Sequence, residues 1–448
     1  MDVQGLACPR CRGKLNKTAQ GNLSCPACSV NYPQLGEVQW LWPEPGAALL
    51  DWRNRFNRRL SELDQETTTL AEDPAQTPAQ QQYLAGLKRY SDELRDLLAP
   101  LKVREAIAPE VHLALKTQLP DHHGIDSYDQ NIFRDWCWGE AENQQVVDYL
   151  LACLDDAGCR EEIQTVAVLG AGAGRLARDL HLALGAQHTC VLDANPLLCL
   201  ISQRMAQGEQ LSLTEFPRVP IDQPVIEQTL PAQTACKDMT FICADALNPP
   251  LAPQSFDLLV TPWLIDVIDA SLTAQVDVYA SLVRTGGYWL NHGSLAFNRR
   301  RFNERLDESR VQQICEGGGF DVMHSENKEL PYLASPHERQ KRFELTYTQL
   351  CRRNDQPPVT PEQPFAHEPD WLADHKLKIP LSAEFQTQIT TTRVHGFIMS
   401  LINGERSIKD MAAVLEEQRL MPKTEAAQAI SHLLRVMHNE SLAQQRAR

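Results

Sequence analysis

Apolar residues along this chain change their spacing several times, and each change marks an element. Val166-Ala167-Val168-Leu169 is an unbroken apolar run, as expected of a strand buried on both faces. Gly170, Gly172 and Gly174 follow at once, and helical spacing begins at Arg175 and runs to Leu184. Further short apolar runs lie at Thr189–Leu192, Thr240–Cys243, Phe256–Thr261 and Tyr288–Asn291, the last after the turn Thr285-Gly286-Gly287. Strands alternating with helices predict an α/β, Rossmann-like core: a mostly parallel sheet with helices on both faces. The proline-rich stretch Gly208 to Lys237 breaks the alternation and is expected to be an insertion near the site.

The flanks read differently. From Ala47 to Leu119 the spacing is helical, with Leu84, Leu87, Leu94, Leu97, Leu98 and Leu101 on one face and the polar stretch Glu72 to Gln82 as a loop. Between Asp121 and Leu154 an irregular aromatic stretch gives way near Glu140 to an amphipathic helix carrying Val146, Val147, Leu150, Leu151 and Leu154. Tyr128, Phe133, Trp136 and Trp138 in this stretch form either a hydrophobic clasp or a lid over a ligand. After Gln356 to Asp370, which holds five prolines, three or more helices are predicted. Phe397, Ile398, Leu401 and Ile402 face their core, Ser407 caps the helix of Met411, Val414 and Leu415, and Ile430, Leu433 and Leu434 lie on the last one.

Composition narrows the class. A chain of 448 residues needs more than one core. The formal net charge of -15 argues against nucleic acid or an anionic membrane as a partner. The first residues lack a basic stretch and an apolar stretch, so no signal peptide is expected, and no apolar run reaches spanning length. Thirteen cysteines, mostly isolated, fit a reducing cytoplasm better than a disulfide framework.

Four of those cysteines are not isolated. Cys8-Pro-Arg-Cys11 and Cys25-Pro-Ala-Cys28 place two thiolates on each of two tight knuckles, the donor set of a tetrahedral structural zinc. Four thiolates leave no open position for catalysis, and the metal supplies folding energy that so small a segment lacks. The tail Asn31 to Pro45 is similar to the end of short zinc ribbons attached to some methyltransferases, including the small activator subunit of tRNA and protein methyltransferases.

The glycine turn carries the chemistry. Gly170, Gly172 and Gly174 allow a tight bend and a close ligand, and the amides that open the helix at Arg175 face it. Arg175 stands where a dinucleotide fingerprint has its third glycine, which disfavours NAD or FAD. Asp193 ends the second strand, where a carboxylate accepts from both ribose hydroxyls. Asp245, with Ala246 beside it, ends the third strand, where a carboxylate approaches an adenine amino group. S-adenosyl-L-methionine is the cofactor that fits, with Gly170, Gly172, Gly174, Arg175, Asp193, Asp245 and Ala246 expected to bind it.

With these residues in place the core resembles the carnosine N-methyltransferase (N2227-like) family. The matching pieces are Ile132–Asn143, Val168–Leu180, Asp193, Phe241–Leu247, Phe256–Asp269, Arg284–Phe297 and Gly318–Ser335. The resemblance covers about half of the chain, roughly Tyr128 to Arg353. It implies a class I methyltransferase fold with a seven-stranded sheet, and methyl transfer to an imidazole nitrogen of a histidine-containing dipeptide. It places Asp266 against the imidazole. Asn298 replaces a family histidine, and of a later tyrosine motif only Tyr332 is carried over. His292, just after the fifth strand, is the nearest titratable candidate for a base, against a plainly structural role. Asp266 has a structural alternative as a helix cap, and Tyr332 one as packing.

The expected division is a zinc ribbon over 1–45, a helical segment over 46–120, the methyltransferase domain over 121–353, a linker over 354–370 and a helical domain over 371–448. The last resembles the small winged-helix-type domains of PqqD-like peptide chaperones, with peptide or protein docking preferred to DNA. The leading functional reading is an N-methyltransferase of a small molecule or peptide. Its alternatives are a non-catalytic adaptor with a cofactor-binding core, or a methyltransferase of RNA or protein with the ribbon as docking module.

Overall fold

The computed structural model describes residues 5–19, 21–101, 124–297, 305–359 and 377–446, with side chains to residue 435. The chain divides into two compact units, Met1–His367 and Glu368–Arg448. No helix among the described residues is long and apolar enough to cross a membrane.

The first unit opens with β1 (Asn16–Lys17), β2 (Leu23–Cys25), β3 (Val30–Tyr32), β4 (Gln34–Leu35) and β5 (Val38–Trp40). β1, β2 and β3 form a small antiparallel sheet, while β4 and β5 pair with each other and join the main sheet. Two long helices follow, α1 (Pro45–Ala71) and α2 (Pro78–Leu97). The sequence places Pro78 in a loop, but it starts α2: proline suits the first helical turn, where its missing N–H costs nothing. Thr77 caps that turn in a capping box with Gln80. Trp52, Phe56 and Leu63 of α1 and Leu87, Leu94 and Leu97 of α2 enter the same core as the main sheet.

Next come α3 (Asp129–Phe133), one π-helical turn at Arg134–Trp138, and α4 (Glu140–Asp156). The π turn closes through Gly139 N–H to the Arg134 carbonyl at 2.9 Å, and a Cβ on Gly139 would lie 2.3 Å from that oxygen. Only glycine fits there. Such turns inside helices concentrate at functional sites.

The core runs β6 (Thr165–Leu169), α5 (Arg175–Leu184), β7 (His188–Asp193) and α6 (Pro196–Ala206). An inserted hairpin follows, β8 (Leu211–Glu215) and β9 (Ile226–Leu230), within the stretch expected to be an insertion. Then come β10 (Met239–Cys243), β11 (Phe256–Pro262), α7 (Leu272–Leu282), β12 (Val283–Gly293), α8 (Glu308–Gly317), β13 (Phe320–Pro331) and β14 (Phe343–Arg353). The Thr285-Gly286-Gly287 turn does not precede the fifth strand but lies inside β12, where its pairing with β11 is irregular.

Among the described residues the main sheet has nine strands in the order β13-β14-β12-β11-β6-β7-β10-β5-β4. Seven belong to the core; β4 and β5 extend it. Counted along the chain from β6 and without the hairpin, the core order is 3-2-1-4-5-7-6, and β14 runs antiparallel to both neighbours. The order reverses between β6 and β11, which opens a crevice at the carboxyl ends of the strands. One face of the sheet packs on α1, α2, α4, α5 and α6, the other on α7, α8 and the cysteine segment.

The second unit holds α9 (Ala383–Ser400), α10 (Ile408–Glu417) and α11 (Lys423–Arg446), packed around Ile398, Leu401, Met411, Leu415 and Ile430. Ser407 caps α10 with Asp410 as its box partner. Ile402, expected in that core, is exposed. No strand is present among the described residues 377–446, so no wing is seen there.

Candidate functional site

The three glycines after β6 do three different jobs. All have positive φ, +70°, +58° and +86°. A Cβ on Gly170 would lie 2.6 Å from Leu264 Cδ1, and one on Gly174 only 1.7 Å from Ser202 Oγ on α6. These two allow close packing. Gly172 has open space where its Cβ would be. Its N–H donates to Asp193 Oδ2 at 2.9 Å, while Asn195 N–H donates to Oδ1 at 2.9 Å. A carboxylate has about four acceptor positions, so Asp193 keeps some acceptor capacity beside these N–H groups and that of Ala194. Burial pushes the Asp193 carboxyl up to about 6, against the N–H groups of Asn195, Gly172 and Ala194 that pull it down. The first turn of α5 has no side-chain cap, which leaves its opening amides available.

Asp245 follows β10, whose last residue Cys243 lies in register with Asp193 on β7. One carboxylate oxygen accepts from Leu247 N–H at 2.9 Å, and burial raises its pKa. Ala246 is half-buried beside it. Gly170, Gly172, Gly174, Asp193, Asp245 and Ala246 therefore lie together at or just beyond the carboxyl ends of β6, β7 and β10. Arg175 turns elsewhere. Its guanidinium donates to Asp179 at 2.5 Å, to Glu140 at 2.9 Å and to the Asp135 carbonyl at 3.1 Å, and lies over the Trp136 ring.

The other side of the crevice is built from the ends of β11, β12 and β13. Trp263 takes φ +51°, a conformation costing a bulky residue about 1–3 kcal/mol. It is held by donating its N–H to the His292 carbonyl at 2.7 Å. A Cβ on Gly293 would sit 2.7 Å from the Trp263 backbone, so glycine is required there. The Trp263 ring packs on Tyr332 at 4.4 Å between centroids and edge-on against His292 at 5.7 Å. Arg134 and Arg342 lie over the Tyr332 ring.

His292 is fully buried. Its Nδ1 meets Thr348 Oγ1 at 2.8 Å, and its Nε2 has no protein partner. Burial, then the Arg134 charge, lowers its pKa to about 4, so the ring is neutral at pH 7. Thr348 also bonds Tyr149, whose hydroxyl donates to Glu326 at 2.6 Å. Asp266 accepts from Ala296 N–H at 3.2 Å and from Ser294, so part of it fastens the segment after β12; burial raises its pKa. Asn298 lies outside the described residues.

The segment before α4 spans both sides. Asn195, next but one to Asp193, donates to the Ile125 carbonyl at 3.0 Å, and Trp136 Nε1 donates to the Ala173 carbonyl at 3.0 Å. Between these anchors burial raises the pKa of Tyr128, and the nearby Asp193 and Asp266 carboxylates add to the effect. The inserted hairpin supports the segment: Glu215 accepts from Trp138 Nε1 at 3.2 Å, Gln228 Nε2 at 2.6 Å and Ser335 Oγ at 3.4 Å.

The strand order, the reversal at β6 and the antiparallel β14 settle the architecture. The core has the class I methyltransferase fold. No protein-family model and no curated protein matches the chain. Among solved structures it is similar to the magnesium protoporphyrin IX methyltransferase of Synechocystis with bound S-adenosylmethionine. That match has 16% identity over 56% of this chain and 100% of that one, with a TM-score of 0.35. It is also similar to the N-methyltransferase NodS of Bradyrhizobium japonicum in complex with S-adenosyl-L-homocysteine, at 13% identity over 50% of this chain and 97% of that one, with a TM-score of 0.35. Overlaps this loose give no residue-by-residue correspondence.

Several residues of this methyltransferase-fold crevice carry no chemical signature in the sequence. Trp263 and Arg134 sit inside motifs but look like packing, and Tyr149 and Arg342 lie far from any glycine or acid that marks the site. Outside the crevice, the sulfurs of Cys8, Cys11, Cys25 and Cys28 all lie within 4.8 Å of one another, with Cys8–Cys28 at 4.0 Å and Cys11–Cys25 at 3.5 Å. A tetrahedral metal bound by four thiolates spaces its sulfurs by about 3.8 Å. The group could hold a metal ion.

Proposed function

We propose that this protein is an S-adenosylmethionine-dependent methyltransferase acting on a nitrogen of a small molecule or peptide, with the imidazole of a histidine-containing dipeptide as the first candidate acceptor. The observation that carries the reading is Asp193, held at the end of its strand against open Gly172. In this reading its carboxylate accepts from the ribose hydroxyls, and Gly170 to Gly174 give the cofactor access to the backbone. Asp245 and Ala246 take the adenine side. Arg175 positions the covering segment rather than touching the cofactor. Cys8, Cys11, Cys25 and Cys28 hold a structural zinc.

Bound, the cofactor supplies a methyl group on a sulfonium, open to in-line attack. The chain must hold the acceptor nitrogen in contact with it and keep water out. Trp263, Tyr332 and Tyr128 form the aromatic wall for that purpose. Asp266 is the acceptor for the far N–H of the substrate ring, which leaves the attacking nitrogen its lone pair. His292, buried with Nδ1 against Thr348 and its ring edge-on to Trp263, backs the aromatic wall as a positioning residue. The Asn298 position supplies an amide that orients but takes no proton. Transfer of a labelled methyl group from S-adenosylmethionine to a histidine dipeptide, and its loss in Asp266→Ala, tests the assignment. Cofactor binding without transfer to any imidazole or amine acceptor would instead favour the adaptor reading.

A further inference from the structure

Three of the crossovers between parallel core strands carry a helix: α5 after β6, α6 after β7 and α7 after β11. The connection from β10 to β11 does not. It passes two intervening strands with no helix between Cys243 and Phe256. A parallel sheet has to be covered on both faces. Here the cysteine segment supplies the missing cover. Cys8, Leu15, Leu23, Cys25 and Tyr32 share one buried cluster with Leu169, Leu192 and Ile242 of the central strands.

That segment grips the bare connection directly. Leu6 bridges Leu251 in antiparallel fashion, Ala7 N–H donates to the Pro250 carbonyl at 2.9 Å, and Ala252 N–H donates to the Gly5 carbonyl at 2.8 Å. Arg12 follows Cys11 in a left-handed conformation, φ +59°, that closes the first knuckle through its N–H to the Cys8 carbonyl at 2.8 Å. Its guanidinium then donates to Asn248 Oδ1 at 2.6 Å and to the Pro249 carbonyl. Asn248 returns a bond from Nδ2 to the Pro9 carbonyl at 2.8 Å. The same Asn248 donates its N–H to the Asp245 carbonyl at 3.1 Å. A short chain of bonds thus runs from the metal-ligand knuckle to the turn that presents Asp245. A second link reaches the same strand end: β5 pairs parallel with β10, and Leu41 N–H donates to the Cys243 carbonyl at 3.1 Å.

We propose that the cysteine ribbon is part of the cofactor site, with Arg12 and Asn248 as positioning residues that couple metal loading of the ribbon to cofactor affinity. The inference rests on the cofactor assignment above and adds a role for the ribbon other than docking a partner. A four-thiolate knuckle keeps its shape only with its metal. Without it Arg12 has no fixed base, and the Asp245 turn loses two of its anchors. Coupling of this kind is reciprocal, so bound cofactor also slows loss of the metal.

The test uses the full-length, metal-loaded chain and S-adenosyl-L-homocysteine as probe. Calorimetric titration of Arg12→Ala and Asn248→Ala is compared with the parent, with metal content measured on the same samples. Both variants keep about one metal per chain and bind the probe roughly five- to fifty-fold more weakly. In the parent chain the probe slows metal release to a colorimetric chelator, which requires no variant to fold. Equal affinities in metal-replete variants, together with chelator release that ignores the probe, would overturn the coupling while leaving the cofactor assignment intact. No binding by the parent chain would remove both.

Discussion

The N–H of Gly172 points at the carboxylate of Asp193 across 2.9 Å, and nothing stands over Gly172 where a side chain would be. A backbone donor thus fixes the acid at the end of β7, with Asn195 N–H holding its second oxygen. Most of what the account predicts depends on this pair.

Asp193 makes cofactor binding sensitive to acid. Its carboxyl is held near 6, and only the ionised form accepts from two hydroxyls. Affinity for S-adenosyl-L-homocysteine falls about tenfold between pH 7 and pH 5 and levels off above 7. The sign for folding is opposite, because a raised carboxyl pKa makes this group favour the folded state less as pH rises from about 4 to 6. Calorimetry across that range separates the two, and Asp193→Asn flattens the binding profile.

His292 makes stability fall in acid. Its folded pKa, about 4, lies below the unfolded value, so the unfolded chain binds more protons between about 6.5 and 4. The sign is therefore stability lost as pH falls through that window, by about 3 kcal/mol for this residue. Urea unfolding of the parent and His292→Phe at pH 7 and pH 4.5 checks it. The variant shows the smaller drop.

The middle and last glycines of the turn separate binding from folding. Gly174→Ala drives a methyl group into Ser202 at a left-handed position and costs about 2–5 kcal/mol of stability. Ser202→Gly in the same chain restores part of that loss. Gly172→Ala meets no protein atom, so it costs only about 1–2 kcal/mol, yet it weakens cofactor binding more than tenfold. Denaturant midpoints and calorimetry on the three variants report the contrast.

Arg175 holds the covering segment. Arg175→Ala removes its bonds to Asp179, Glu140 and the Asp135 carbonyl and bares the Trp136 face, at a cost of about 2–3 kcal/mol. Trp136 fluorescence shifts to the red, and proteolysis between residues 124 and 139 speeds up. Arg175→Lys recovers little, since one ammonium cannot span three partners.

Much of the core was legible because its signals are local. A continuous apolar run such as Val166–Leu169 means a two-sided strand, and Asp193 at the end of the next run follows from the period of the alternation. Arg175–Leu184 is a helix with the bounds its spacing predicts. What stayed hidden depends on distant contacts. Nothing in Arg12 or Asn248 announces a bond between residues 236 positions apart in the chain. The left-handed Trp263 is invisible because its backbone is set by His292 and Gly293, not by its own neighbours. The long antiparallel pair β13 and β14 was not read strand by strand, since its outer face is polar and its apolar alternation weak. Arg175 looked like a cofactor ligand because of its place after the turn; burial and three acceptors direct it toward α4 instead.

The central claim is a ribose-gripping acid beside an open glycine. Calorimetric titration of the full-length protein with S-adenosyl-L-homocysteine at pH 7.5, parent against Asp193→Ala, tests it most directly. The account predicts one site per chain in the parent and at least a tenfold loss in the variant. No heat of binding in the parent, or the same affinity in both, would contradict it.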